Sequence, residues 1–350
     1  MRILLWHVHG GWTDAFVRGP HDYLLPTAPD GSGGRGDRPW PASVVDVPLD
    51  DLRDADVDVV MLQRTEELGL VEQLLGRRPG RDLPAVFVEH NTPRADVPSS
   101  VHPLADQDDV LVVHVTHFNR LFWDCGRAPT TVVEHGVVDP GPLYTGEERA
   151  VAVVTNEPVR RWRVTGADLL GGFSRLARVD VFGMGTDGLA ARLGVDAGQV
   201  VAVGDLPTDR LHRELARRRL YLHTPRWTSL GLSLLEAMHL GMPVVGLDTT
   251  EIRRAVPPEA GVLSNDIGRL HEAVATLLGD PDEARARGVR ARAWALTHYG
   301  LDAFLERWDG VLDDVVSRAS RSRASAATSS TPTPSTKDGS WSQRESSGAT

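Results

Sequence analysis

Short apolar runs, many of them rich in β-branched residues, recur along most of the chain. The first series is ILLWHV at 3–8, SVVDV at 43–47, DVVML at 58–62, AVFVEH at 85–90, LVVHVT at 111–116 and TVVEHGV at 131–137. A second follows: AVAVVTN at 150–156, VDVFGMG at 179–185, VVAVGD at 200–205, LYLHT at 220–224, PVVGLD at 243–248 and GVLS at 261–264. Runs this short and this uniformly apolar predict strands buried on both faces, as in parallel sheets. Segments with helical periodicity lie between many of them, such as EELGLVEQLLGR at 66–77, RLHRELARRRL at 210–220 and GRLHEAVATLLGD at 268–280. Alternation of β and α predicts a doubly wound α/β protein. The loop DPGPLYTGEE at 139–148 separates the two series with two prolines and two glycines, which marks a domain boundary. The expected layout is one Rossmann-like domain over 1–139, a second over 140–300 and a terminal helix at 301–318 returning to the first. From 319 to 350, Ser, Thr, Ala and Pro dominate without apolar periodicity, a composition expected of a disordered tail.

Composition narrows the function classes. A length of 350 residues suits about two domains. The net charge is -10, from 38 Lys and Arg against 48 Asp and Glu. That balance disfavours wholesale binding to nucleic acid or to anionic membranes. The one cysteine, Cys125, excludes an internal disulfide and leaves no thiol cluster for zinc. The opening MRILLWHVHGG reads as a first strand broken by His7 and His9, not as a leader. No apolar run reaches membrane-spanning length. A cytoplasmic protein, at most peripheral at the inner membrane face, is the expectation.

The stretch RWTSLGLSLLEAMHLGMPVV at 226–245 has a single acid, Glu236, among Leu, Met and Gly. A helix starting between Ser229 and Gly231 would offer unpaired N–H groups to an anion. Ser229, Ser233 and Glu236 then share one stripe, and Leu230, Leu234 and Met238 share another suited to packing on a sheet. An isolated amphipathic helix with one acid facing water is the plain alternative. Gly231 permits close approach of a ligand to the backbone, and Gly241 with Pro243 leads out into a buried strand.

LLEAMHLGMPVV resembles the second half of the donor-site signature E-x7-E, A-M, G-x-P-V-V of family-four retaining glycosyltransferases, which have the GT-B fold. The resemblance implies two Rossmann-like domains facing a cleft, transfer of a sugar from a nucleoside diphosphate sugar with retention, and neither metal nor added cofactor. It implies that Glu236 accepts hydrogen bonds from the ribose, a role suited to two carboxylate oxygens. The first signature Glu, which reads sugar hydroxyls, would stand at Thr228, a departure from the pattern. VVAVGDLPTDRLHRELARRRLYLH resembles the G-x-[LV]-P turn and helix before the signature. VVEHGVVD at 132–139 resembles the V-I-x-N-G-V-D hinge, with His135 in place of Asn. The likeness covers roughly residues 130 to 316 and is much weaker before that.

The family's G-R-x4-K-G pattern falls on NEPVRRWRVTGADLL, with Arg160 on its Arg and Thr165 on its Lys. Arg163 is then the expected substitute for the missing charge, because guanidinium grips phosphate oxygens bidentately. The expected donor site is therefore Gly10, Gly11, Arg160, Arg163, Thr228, Ser229, Leu230, Gly231, Leu232 and Glu236. Gly10 and Gly11 stand where the family has a glycine-rich loop, and His90 resembles the family histidine that faces the transferred sugar. His90, Arg160 and Arg163 would serve the chemistry itself, the arginines by stabilising charge on the leaving diphosphate. Three alternatives stay open. His90 and the arginines could be structural and surface residues. The lost Glu and Lys could mark a non-catalytic nucleotide-sugar-binding domain. DVFGMGTDG could be a dinucleotide fingerprint of an NAD-dependent oxidoreductase, although LAARLG after it is short for the helix that motif needs. The acids of DADVD at 54–58 run directly into a strand and are read as an element boundary, not a metal site.

Overall fold

The computed structural model describes residues 1–329. Two sheets account for the strands among them. The first contains β1 (Arg2–Leu5), β2 (Asp22–Thr27), β3 (Val44–Pro48), β4 (Val59–Leu62), β5 (Ala85–Glu89), β6 (Leu111–His114) and β7 (Thr130–Val132). The second contains β8 (Glu148–Val154), β9 (Val179–Phe182), β10 (Val200–Gly204), β11 (Arg218–His223), β12 (Val244–Leu247) and β13 (Gly261–Ser264). Every strand pair in both sheets is parallel. The orders are β3-β2-β1-β4-β5-β6-β7 and β10-β9-β8-β11-β12-β13, each winding outward from its first strand and then restarting on the other side. Such a reversal opens a crevice beyond the C-terminal ends of the two strands that flank it. The crevices lie beyond β1 and β4 in one domain and beyond β8 and β11 in the other.

Two elements differ from the pattern expected of the sequence. DYLLPT forms β2, between β1 and β3, although a proline inside a run argues against a central strand. The Pro26 carbonyl takes a hydrogen bond from the Gly34 N–H at 3.0 Å, so the loop after β2 folds back over it. The expected helix at 210–220 ends at Arg217, and Arg218 opens β11. Arg218 and Arg219 are buried there because both are neutralised or bonded. Arg218 Nε donates to Asp180 at 2.8 Å and one of its terminal nitrogens to Glu214 at 2.6 Å. Arg219 donates to the Gly146 and Leu278 carbonyls.

The chain crosses back through the helix Pro281–Tyr299, whose Asp280 cap accepts from the N–H groups of Asp282 and Glu283. Tyr299 O accepts from Val137 N at 2.9 Å, which ties the returning chain to the hinge. The last helix, Leu301–Ser329, then packs Phe304, Trp308 and Leu312 against Trp12, Phe16 and Tyr23 of the first domain. Residues 319–329 of the expected tail thus continue this helix, and the remainder lies outside the described residues. No helix among the described residues is long and apolar enough to cross a membrane.

Candidate functional site

Two cavities are lined by residues of both domains, and another beside them enters the second domain alone. β11 ends at His223, the chain turns through Thr228, and the helix Leu232–Leu240 begins. Its cap is Gly231, with no side-chain hydrogen bond to the first N–H groups. Those amides and the positive end of the helix dipole remain available to an anion. The helix starts at Leu232, one to three residues later than its sequence implies. Leu230 is instead buried in the core, and Ser229 Oγ sits 3.3 Å from Thr116 Oγ1 of the first domain. Thr228 makes no hydrogen bond to the helix start and lines two cavities.

Glu236 stands on this helix with its side chain 19% exposed. It lines a cavity of about 490 Å³ with Gly10, Gly11, Asp14, Arg38, Trp40, Thr208 and His212 among others. His212 Nε2 stands 3.8 Å from it, beyond hydrogen-bond reach. The carboxylate therefore keeps its acceptor capacity for a guest. Across the cleft Gly11 lies so close that a Cβ there would stand 2.9 Å from Leu232 Cδ1. Gly10 and Gly11 open the helix Gly10–Phe16, the next element after β1, and bring the first domain against the helix Leu232–Leu240.

A second cavity, about 290 Å³, reaches the helix start and is lined by Asn156, Arg161, Thr165, His223, Thr228, Gly231, Leu232 and Ser233 among others. A third, about 440 Å³, shares Arg161, Val164 and Thr228 with it and adds His90, Asn91, Thr92, Arg94, Arg160, Trp227 and Ser229. Arg161 forms no ion pair or side-chain hydrogen bond among the described residues. Burial lowers its pKa, and the nearby Arg160 and Arg94 lower it further. Gly166 makes this wall possible. Its φ of +70° suits glycine, and a Cβ would overlap the Thr224 carbonyl.

His90 is buried, with Nε2 facing no protein partner. Its ring lies 3.9 Å from that of His9 and 5.3 Å from Trp12. Burial, then the neighbouring His9 and His135, holds its pKa well below the ordinary value. Burial also brings His135 down to about 4, with His9 adding to it. His9 is lowered by burial against the pull of Glu89. These imidazoles are neutral near pH 7, and His90, which lines the third cavity, can donate or accept a hydrogen bond there. No group of three or more His, Cys, Asp or Glu among the described residues is arranged to hold a metal.

Residues 172–280 match the family model described as Glycosyl transferases group 1. No curated protein matches the chain in sequence. Among solved structures, it resembles sucrose-phosphate synthase from Thermosynechococcus elongatus at 14% identity and a TM-score of 0.67, over 91% of this chain and 100% of that one. It also resembles Anabaena HepE, solved with UDP-glucose, at 16% identity and 0.66, over 90% and 100%. Staphylococcus aureus TarM matches at 17% identity and 0.59 over 75% of this chain, which spans 55% of TarM's length. The fold is GT-B.

In GT-B terms the structure sorts the expected site residues. Glu236, Gly10 and Gly11 meet in one cavity, and His90, Arg160, Thr228 and Ser229 meet in another. Gly231 and Leu232 form the helix start beside them. Arg163 does not join them. It is 70% exposed, bonds Asp168 at 2.7 Å and lines none of these three cavities. Asp168 also holds Arg226 at 2.6 Å, so this corner is a surface network. Arg161, two residues earlier, has the position expected of Arg163. Arg94, His212 and Trp227 are further cleft residues that the sequence did not single out. Trp227 donates Nε1–H to the Pro93 carbonyl at 2.7 Å, closing one lip of the cleft. Gly183 and Gly185 of DVFGMGTDG form a turn against the end of β8, where Met184 N donates to Asn156. The Glu157 carboxylate lies 3.1 Å from where a Gly185 Cβ would stand. A carboxylate in that place is unsuited to pyrophosphate, which counts against the dinucleotide reading.

Proposed function

We propose that this protein is a glycosyltransferase that moves a sugar from a nucleoside diphosphate donor, with retention of configuration and without a metal cofactor. The observation that carries the reading is Glu236. It is a largely buried carboxylate on a GT-B donor helix, has no hydrogen bond among the described residues, and faces an interdomain cavity. A ribose diol satisfies both of its oxygens. The diphosphate would extend from there to the Gly231–Ser233 amides and Arg161, with Arg160 beside it. Fixed cations and dipoles there stabilise charge growing on the leaving diphosphate. His90, neutral and unpartnered at Nε2, is placed to hydrogen-bond the transferred sugar. Because HepE was solved with UDP-glucose, UDP donors are the first to test.

Thermal shift with UDP, GDP, ADP and dTDP identifies the base, and nucleotide release from matching sugar donors measures turnover. The anomer of the product, read by NMR, tests retention, and turnover after chelation tests metal independence. Thr165 and Thr228 support a second reading, a binding domain without turnover, since each puts a neutral hydroxyl residue where the family pattern has a charge. Tight nucleotide binding without release of product from any donor and acceptor pair would favour it.

A further inference from the structure

The 440 Å³ cavity gathers three guanidinium groups, Arg94, Arg160 and Arg161, and no acidic side chain lines it. Their partners within the protein are few. Among the described residues Arg161 has none, Arg94 reaches only the neutral Asn91 side-chain oxygen at 3.3 Å, and Arg160 pairs with an exposed Glu157 at 3.4 Å. Arg163 and Arg226 nearby are, by contrast, both matched by Asp168. Arg94 and Arg160 are close enough to depress Arg161 after its burial has done so. All three are solvent-exposed, the Arg160 side chain to 72%, so water screens part of their mutual repulsion, and an anion among them relieves the rest.

A donor diphosphate satisfies only part of this set. Its phosphates carry one charge each, and Arg161 together with the helix amides lines the smaller cavity where they belong. Arg94 comes from the loop after β5, on the opposite domain, and shares the larger cavity with His90 and Thr228, the two residues read above as facing the sugar. Thr228, on the same cavity wall, brings no negative charge to oppose it.

We propose that the 440 Å³ cavity binds a second anionic group, a carboxylate or phosphate on the donor sugar or on the acceptor, with Arg94 as its specificity-determining residue. This rests on the nucleotide-sugar reading above. Guanidinium is suited to either group because its fork matches two oxygens at once.

The test begins with the nucleotide panel; if UDP, GDP, ADP and dTDP all fail to bind, the nucleotide-sugar reading falls and this inference with it. With the base known, a donor arm compares the affinity of the nucleoside diphosphate glucuronic acid with that of the glucose donor. An acceptor arm titrates enzyme saturated with the nucleoside diphosphate with glucose 6-phosphate and with glucose. Each is repeated with Arg94→Ala and Arg94→Lys. The expected result is a preference of about tenfold or more for the anionic ligand in one arm. It should vanish in Arg94→Ala and persist in part in Arg94→Lys. The arm that shows it identifies the source of the anion. Nucleotide binding with no preference in either arm, or with a preference that survives Arg94→Ala, would overturn the inference and leave the nucleotide-sugar reading standing.

Discussion

Replacing Glu236 with Gln probes the donor site with little change of shape. The amide keeps one acceptor oxygen and places a donor NH₂ where the second oxygen stood. In the free protein nothing is lost except a 3.8 Å approach to His212, and a pair that loose contributes at most about 1 kcal/mol. Melting temperature should therefore move by no more than a few degrees. In the complex the variant forfeits a charge-assisted bond to a ribose hydroxyl, worth roughly 1.5–3 kcal/mol. That corresponds to roughly a 10- to 100-fold loss in affinity for the cognate nucleoside diphosphate. Calorimetric titration of wild type and variant with the nucleoside diphosphate and with the corresponding 2′,3′-dideoxyribose analogue reads it directly. The variant should cost affinity for the ribose ligand and almost none for the analogue. Equal affinity of both proteins for the ribose nucleotide would refute the reasoning, and Glu236 would be a helix acid turned to solvent.

Four further outcomes are expected. Arg161→Ala should weaken a nucleoside diphosphate by about tenfold or more relative to its nucleoside, whereas Arg163→Ala should alter neither, as titrations of both ligands would show. Thr228→Glu should leave nucleoside diphosphate affinity nearly unchanged but reorder the donor sugars, because it places a carboxylate in a cavity now lined only by neutral and cationic polar groups; an unaltered ranking in turnover assays would count against that role. Gly166→Ala meets positive φ and the Thr224 carbonyl, a strain of about 2 kcal/mol or more, and calorimetry should show the melting point lowered by about 5 °C. His135 has its pKa held near 4 by burial, so the unfolded chain binds more protons between that value and the ordinary 6.5. Stability from this group is complete above about pH 6.5 and is lost as pH falls toward 4, by roughly 3 kcal/mol in total. Melting curves across that range should fall less steeply for His135→Asn than for wild type.

The strands were readable because parallel sheets bury both faces, so each strand appears as an unbroken apolar run whatever its neighbours are. β1, β4, β5 and β12 show this. β2 was hidden by Pro26, whose cost depends on what its sheet partners and the folded-back Gly34 loop supply. β11 was masked at its start by Arg218 and Arg219, which look solvent-facing until Asp180, distant in sequence, is placed beside the first. The placement of Glu236 on a helix after β11 was legible because that pattern is local, being a strand, a turn and a helix in one short stretch. Arg161 and Arg163 could not be separated that way. Two residues apart on a short turn, they point in different directions, and Asp168 captures one while the cleft receives the other. Arg94 left no local signal at all, since its meaning comes from facing Arg161 across two domains. Local periodicity records how deeply each segment is buried, while charge acquires its role only from neighbours that folding brings together from distant parts of the chain.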